Sequence, residues 1–328
     1  MLILLWGLAT ERPFEVMCEE LERQGLPTLL LDQREVEAVE VELKVGAEVE
    51  GRLRVGGREV DLRSITAAYV RPCDSRLLPA VARAGPDSPL WLHATTLAET
   101  LSVWCELTDA LVVNRFSSMG SNGSKPFQLD LIRRQGFSVP DTLVTTDAGA
   151  ARAFRERHGE VIYKSVSSVR SIVSRLGPEQ LGRLEDVASC PTQFQQYVPG
   201  TDTRVHVVGQ EIFPCEIVCG ATDYRYPGDE SVELRACRLP AEVEERCFRL
   251  AASMNLPVAG IDLRRTPEGE WFCLEVNPSP AYSYYQAHAG LPISEAVARL
   301  LASAGRGGGA GGAGLLREGG DAAAALLA

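Results

Sequence analysis

The opening of the chain constrains the fold most. Leu2–Trp6 is an unbroken apolar run of strand length. Gly7 and Thr10 interrupt it, and Arg12–Gln24 then sets Phe14, Met17 and Leu21 at helical spacing before Gly25. Thr28–Asp32 is a second apolar strand. A strand, a helix and a strand in that order predict a parallel pair joined by a right-handed crossover. The expected class is therefore α/β, passing to α+β where later strands run antiparallel.

Those later strands follow. Glu37–Val60 alternates polar and apolar residues around Gly51 and Gly56-Gly57, the pattern of an antiparallel meander. Ala67–Val70 reads as a strand ending in Arg71-Pro72, Leu90–Leu107 as a helix and Ala110–Asn114 as a strand. Ser117–Ser124 is rich in Ser and Gly and predicts a mobile connection. Lys125–Gln135 reads as a helix, Val161–Lys164 as a strand, Ser165–Ser171 as a polar loop and Arg175–Leu184 as a helix. Thr192–Tyr197, Thr203–Val208, Glu211–Val218 and Val232–Arg238 are expected strands. Glu242–Met254 is helical, Ala259–Arg264 and Trp271–Val276 form an antiparallel pair, and Ile293–Ala302 is the last helix. From Gly305 the chain is Gly- and Ala-rich and is expected to be a disordered tail.

A length of 328 residues suggests about two domains. Lys plus Arg total 33 and Asp plus Glu 44, a net charge of −11. Most of the surface then repels nucleic acid, and any polyanion must bind in a local basic cleft. The nine cysteines contain no C-x-x-C pair, and the closest two, Cys215 and Cys219, lie in a chain with four histidines. A zinc site is not expected, and scattered thiols point to the cytosol. Met1–Ala9 is too short to span a bilayer and has no basic residues before it, so it reads as a buried strand.

Three groups of residues carry chemistry. Asp262, in Gly260-Ile261-Asp262-Leu263, lies mid-strand, and Glu275, in Glu275-Val276-Asn277-Pro278, ends the next strand. Antiparallel pairing lets the two carboxylates face each other, and alternation puts Asn277 on the side of Glu275. Two carboxylates and an amide oxygen suit Mg²⁺ carrying phosphates. As isolated residues they would be exposed strand acids and a turn Asn. Lys125 opens a helix after a Gly/Ser loop and Lys164 ends an apolar strand, where an ammonium can reach phosphate; singly, each would be a surface lysine. Gln195-Gln196-Tyr197-Val198-Pro199-Gly200 is a strand running into a turn, able to offer backbone groups to a base edge. Asp202 and Arg204 follow on one strand face, where either would also serve in a structural ion pair.

In order and spacing these pieces resemble the ATP-grasp superfamily. They are closest to its glutamate-ligase branch of ribosomal-protein-S6-modifying and glutathione-synthase-like enzymes. The resemblance covers about Asn114–Ala302. It runs through Lys125-x-x-x-Leu129, Gly136-Phe137-Ser138-Val139-Pro140-Asp141-Thr142 and Tyr163-Lys164-Ser165. Gly200-x-Asp202-x-Arg204-Val205, Asp223-Tyr224-Arg225, Val258-Ala259-Gly260-Ile261-Asp262 and Leu274-Glu275-Val276-Asn277-Pro278 complete it.

The resemblance implies an N-terminal pre-ATP-grasp domain over 1–115 and ATP held between two α+β subdomains. These would be a lid over 116–200 and a C-terminal part over 201–303, with 304–328 as tail. It implies that Lys125, Lys164 and Arg225 contact the phosphates, that Gln196, Tyr197 and Val198 line the adenine pocket, and that Asp202 binds the ribose. Asp262, Glu275 and Asn277 would hold Mg²⁺, with Mn²⁺ as a substitute. Arg204, Arg225 and Lys164 would act in catalysis, Arg204 on the substrate carboxylate or its phosphate. The implied activity is an ATP-dependent, cytoplasmic carboxylate–amine ligase working through an acyl phosphate on an amino acid or peptide. No nucleic acid or membrane partner is expected, and relatives often form homo-oligomers. Two residues depart from the family pattern: the loop Ser165–Ser171 lacks Gly, and Gln196 stands where close relatives carry Glu.

Three alternatives share the fold: a maturase of a ribosomally made peptide, a regulatory nucleotide binder without turnover, and a kinase. The tyrosines of Tyr282-Ser283-Tyr284-Tyr285 would either shape an acceptor pocket or pack under the last helix. Arg71 and His206 read as structural residues.

Overall fold

The computed structural model describes residues 1–166, 173–219 and 231–305. The polar loop beyond Val166, the Asp223-Tyr224-Arg225 motif and the tail from Arg306 lie outside the described residues.

The described residues form sixteen strands in four sheets. In the first sheet, β1 (Ile3–Gly7), β2 (Thr28–Asp32), β6 (Ala67–Arg71) and β7 (Leu111–Val113) run parallel in the order β2-β1-β6-β7. The expected crossover is the helix Arg12–Arg23, which buries Phe14, Met17 and Leu21. The meander between β2 and β6 is β3 (Glu40–Val45), β4 (Val49–Val55) and β5 (Arg58–Asp61), antiparallel throughout. Its Gly51 is required, because a Cβ there would overlap the Glu42 carbonyl on β3.

A small antiparallel sheet follows, in the order β10-β9-β11-β8. It consists of β8 (Thr142–Thr145), β9 (Val161–Ser165), β10 (Ser174–Arg175) and β11 (Thr192–Gln196). The large antiparallel sheet has the order β14-β13-β12-β15-β16. Its strands are β12 (Thr201–Val208), β13 (Glu211–Val218), β14 (Glu233–Ala236), β15 (Val258–Arg265) and β16 (Trp271–Asn277).

Two expected elements differ. Ser117–Ser124 forms helical turns, Phe116–Met119 and Gly120–Gly123, instead of a loose connection. The Ser117 N–H and Oγ both donate to the Glu106 carboxylate, at 2.9 and 2.6 Å, and Phe116 packs edge-on against Trp6. Within Arg175–Leu184, helix is confined to Pro178–Gly182. Arg175 is in β10, the Leu176 N–H donates to the Val161 carbonyl at 2.8 Å, and Pro178 starts the helix.

The cores show which elements pack together. The parallel sheet and the large sheet share one apolar cluster: Ile3, Phe14 and Met17 meet Val208, Phe213 and the helix Ile293–Ser303. The small sheet packs on a separate core of seven buried residues, Phe194 and Leu176 among them. Among the described residues no helix is long and apolar enough to cross a membrane.

One buried group imposes a pH dependence. His206 on β12 is fully buried, and among the described residues neither ring nitrogen has a hydrogen-bond partner. Its ring lies edge-on to Tyr285, centroids 5.0 Å apart. Burial, reinforced by the nearby Arg204 cation, holds its pKa well below the usual imidazole value. The unfolded chain therefore binds a proton that the folded chain refuses. Stability is intact above about pH 6.5 and falls below it by up to about 1.4 kcal/mol per pH unit. Denaturant midpoints at pH 7.5, 6.5 and 5.5 should show this slope, and His206→Phe should lessen it.

Candidate functional site

The site is built on strand register. Arg204 on β12 pairs directly with Asp262 on β15, and Asp262 pairs directly with Glu275 on β16. Direct cross-strand partners share a face, so the three side chains form one row. Between Asp262 and Leu263 the register with β16 shifts by a bulge that leaves Leu274 as the extra residue. A bulge lets two successive residues approach one side of a sheet, and both Leu274 and Glu275 line the cleft.

Each carboxylate is held by a cation. Arg204 Nη1 donates to Asp262 Oδ1 at 2.7 Å, and Lys125 Nζ is paired with Glu275 Oε1. Both cations are nearly buried, at 7% and 8% side-chain exposure. Burial raises the Asp262 pKa, which Arg204 opposes and Glu275 reinforces. Gly260 makes room for this arrangement: a Cβ there would stand 2.7 Å from the Arg204 Cζ and 2.8 Å from the Pro280 Cβ. Asn277 lies two residues beyond Glu275, and its Oδ1 accepts the Ser279 N–H at 2.9 Å. That turn uses one lone pair and leaves a second.

The facing wall comes from the small sheet. Lys164 on β9 is buried and its Nζ lies 3.5 Å from Gln195 Oε1. Ile162, Lys164 and Gln195 face Asp202, Asp262, Arg264 and Glu275 across a cavity of about 100 Å³. Asp202 is gripped by Arg264, with two bonds of 2.7 Å, and Arg264 Nη1 also donates to the Val198 carbonyl at 3.1 Å. The described residues thus gather four cations, Lys125, Lys164, Arg204 and Arg264, against three carboxylates, Asp202, Asp262 and Glu275, each of which is paired with one of them.

The predicted residues fall into three groups. Lys164, Asp202, Asp262 and Glu275 line the cavity, and Lys125 and Arg204 join it through their ion pairs. Gln196 ends β11, Tyr197 and Val198 lead from it to β12, and neither these three nor Asn277 lines the cavity. The Gln196 N–H donates to the Asp141 carbonyl at 2.9 Å, its Oε1 accepts the Asp141 N–H at 3.4 Å, and Tyr197 lies beneath the Arg175 guanidinium at 4.1 Å. Arg225 lies outside the described residues.

Arg71 is bound bidentately by Glu11 and donates to the Pro280 carbonyl at 3.3 Å, a structural role. Tyr282 and Tyr285 are buried and only Tyr284 is exposed. Arg264 was not anticipated. Its signal is that it follows Asp262 by two residues, and so shares its face, but its pairing with Asp202 needs the register of β12 against β15.

This geometry has clear parallels. No family model matches the chain. Among solved structures it is similar to the macrocyclase MdnC from Microcystis aeruginosa, bound with its precursor peptide MdnA. The TM-score is 0.75 at 23% identity, over 92% of this chain and all of that one. The ATP-grasp ligase PsnB, complexed with minimal precursor, Mg and ADP, gives 0.75 at 24% identity, over 92% of this chain and 96% of that one. The chain has the ATP-grasp fold. A probable alpha-L-glutamate ligase from Picosynechococcus sp. is 22% identical over 213 residues, 60% of this ATP-grasp chain and 68% of the relative.

Asp262 and Glu275 are direct cross-strand partners and Asn277 follows on the same side. These are hard oxygens of the kind Mg²⁺ selects.

Proposed function

We propose that this chain is an ATP-dependent carboxylate–amine ligase. The observation that carries the reading is the facing of Lys164 on one sheet and the Arg204–Asp262–Glu275 row on the other across one cleft, with Lys125 of the helix Lys125–Arg134 paired to Glu275. We assign residues 1–115 to a pre-ATP-grasp part, 116–200 to the lid, 201–303 to the rest of the nucleotide cleft and 304–328 to a tail. Nine scattered cysteines with no C-x-x-C pair fit a cytosolic enzyme.

In this reading Lys164 and Lys125 bind the phosphates, joined by Arg225. Asp202, held in place by Arg264, binds the ribose, and the Gln196–Val198 link receives the base. Asp262, Glu275 and Asn277 hold Mg²⁺, or Mn²⁺ on the same oxygens. The ion neutralises phosphate charge when bound. A substrate carboxylate oxygen attacks the γ-phosphorus, the bond to the β–γ bridging oxygen breaks, and ADP leaves with that electron pair. An amine nitrogen then attacks the acyl carbon, phosphate departs with the C–O electrons, and the amine loses a proton. Arg204 stabilises the negative charge that develops on the transferred group. Closure of the small sheet excludes water that would hydrolyse the acyl phosphate.

A second reading, maturation of a ribosomally made peptide, is favoured by one observation: MdnC and PsnB, similar over 92% of this chain, were solved with precursor peptides. ADP release from Mg²⁺-ATP against amino acids, dipeptides and short acidic peptides tests both readings. Release with small donors supports the small-molecule ligase, and release with peptides alone supports the maturase. Lys164→Met should weaken nucleotide binding about tenfold, the worth of one charge-assisted bond, as read by fluorescent-nucleotide titration. Unchanged affinity would remove Lys164 from the site.

A further inference from the structure

Strand β16 lies at the edge of the large sheet, so its outer backbone groups have no neighbouring strand. Buried N–H and C=O groups still require partners. Near the start of β16 the partner is backbone: the Cys273 N–H donates to the Ser138 carbonyl at 2.9 Å. At Val276 it is a side chain. The Gln128 carboxamide donates to the Val276 carbonyl at 2.7 Å and accepts from the Val276 N–H at 2.9 Å. One amide group supplies both bonds that a neighbouring strand would make. Gln128 is only 2% exposed, which shelters these bonds from water.

Val276 stands between Glu275 and Asn277. Its peptide groups therefore set where both flanking side chains start. Gln128 belongs to the helix Lys125–Arg134, whose buried face also carries Lys125, Leu129 and Ile132. Lys125 is one turn earlier and contacts Glu275. Apolar packing of Leu129 and Ile132 holds the helix against the sheet, but such contacts are non-directional and set no register. The two Gln128 bonds are directional and do.

We infer that Gln128 is a positioning residue: it fixes the β16 backbone so that Glu275 and Asn277 present their oxygens together, and it keeps Lys125 in register with Glu275. This inference rests on the cation site proposed above. Removal of residues that orient metal ligands usually costs about 10- to 100-fold in affinity.

The test is Mn²⁺ binding to the full chain with ADP present, read from the electron paramagnetic resonance signal of the free ion. Gln128→Met keeps the side chain's length without its hydrogen bonds. Gln128→Asn is one methylene too short and serves if the Met variant does not fold. Both should bind Mn²⁺ about tenfold more weakly, and amide exchange at Val276 should accelerate. Leu129→Ala, which loses packing on the same helix face, should keep wild-type affinity. Wild-type affinity in a folded Gln128 variant overturns the inference, and so does an equal loss in Leu129→Ala, which would make the effect general loosening. If Glu275→Gln leaves wild-type Mn²⁺ binding unchanged, the cation site itself falls, and the role of Gln128 with it.

Discussion

Glu275→Gln lowers turnover about a thousandfold while the chain still folds. Glu275 faces Asp262 directly across two strands, and in the proposed function the pair supplies the anionic oxygens of the cation site. An amide in its place keeps the shape and loses the charge. A cation on transferring phosphate is worth several kcal/mol of transition-state stabilisation, and about 4 kcal/mol corresponds to about 10³-fold. The chain still folds because its apolar contacts lie on the other face of the strands, where Ile261, Leu263, Cys273 and Val276 share a core, but Lys125 loses its buried partner and stability falls by about 3–5 kcal/mol. Circular dichroism and ADP release check the two halves of this expectation, and wild-type turnover would remove Glu275 from the site.

Arg204→Met should lower stability as well as turnover. The guanidinium is 7% exposed and bonds Asp262 at 2.7 Å, and Asp262 is itself only 27% exposed. Removing one partner of a buried pair leaves a desolvated charge and costs about 3–5 kcal/mol. Asp262 also faces Glu275, so losing Arg204 leaves two carboxylates crowded together. Adding Asp262→Asn to Arg204→Met should therefore recover most of the loss. Urea denaturation of the two single variants and the double variant measures the coupling. Independent, additive losses would contradict the pairing. Turnover stays low in the double variant, since Asp262 is a cation ligand in this account.

Much of this site was legible in the sequence because strand chemistry is periodic. The β-α-β opening, the meander and the pairing of the last two strands all follow from apolar spacing. Antiparallel pairing let Asp262 face Glu275 and period-two alternation put Asn277 on the side of Glu275; that the two carboxylates are direct partners is a matter of register. Features set by register or tertiary contact were not legible. The Arg264–Asp202 pair depends on how β15 aligns with β12, and nothing local encodes that. The strand Thr142–Thr145 is four residues long with no fully buried side chain, too little for an apolar pattern. The helix Ala148–His158 buries only Ala148 and Ala151 and so has almost no hydrophobic period. Gln128 looks like any helical glutamine until an edge strand is laid beside it. Ser117–Ser124 misleads for the opposite reason: Ser and Gly suggest looseness, yet the Glu106 carboxylate ties Ser117 down.

The central claim is that the cleft activates a carboxylate as an acyl phosphate. Hydroxylamine tests it most directly, because it intercepts acyl phosphates as hydroxamates whatever the natural amine is. The measurement is hydroxamate formation with Mg²⁺-ATP across a panel of amino acids, dipeptides and acidic peptides, with ADP counted in the same samples. The account predicts hydroxamate and ADP in equal amounts with at least one donor, lost in Glu275→Gln. A stable phosphorylated product without hydroxamate would make the protein a kinase. Tight Mg²⁺-ATP binding with no ADP from any donor would make it a regulatory binder and contradict the claim.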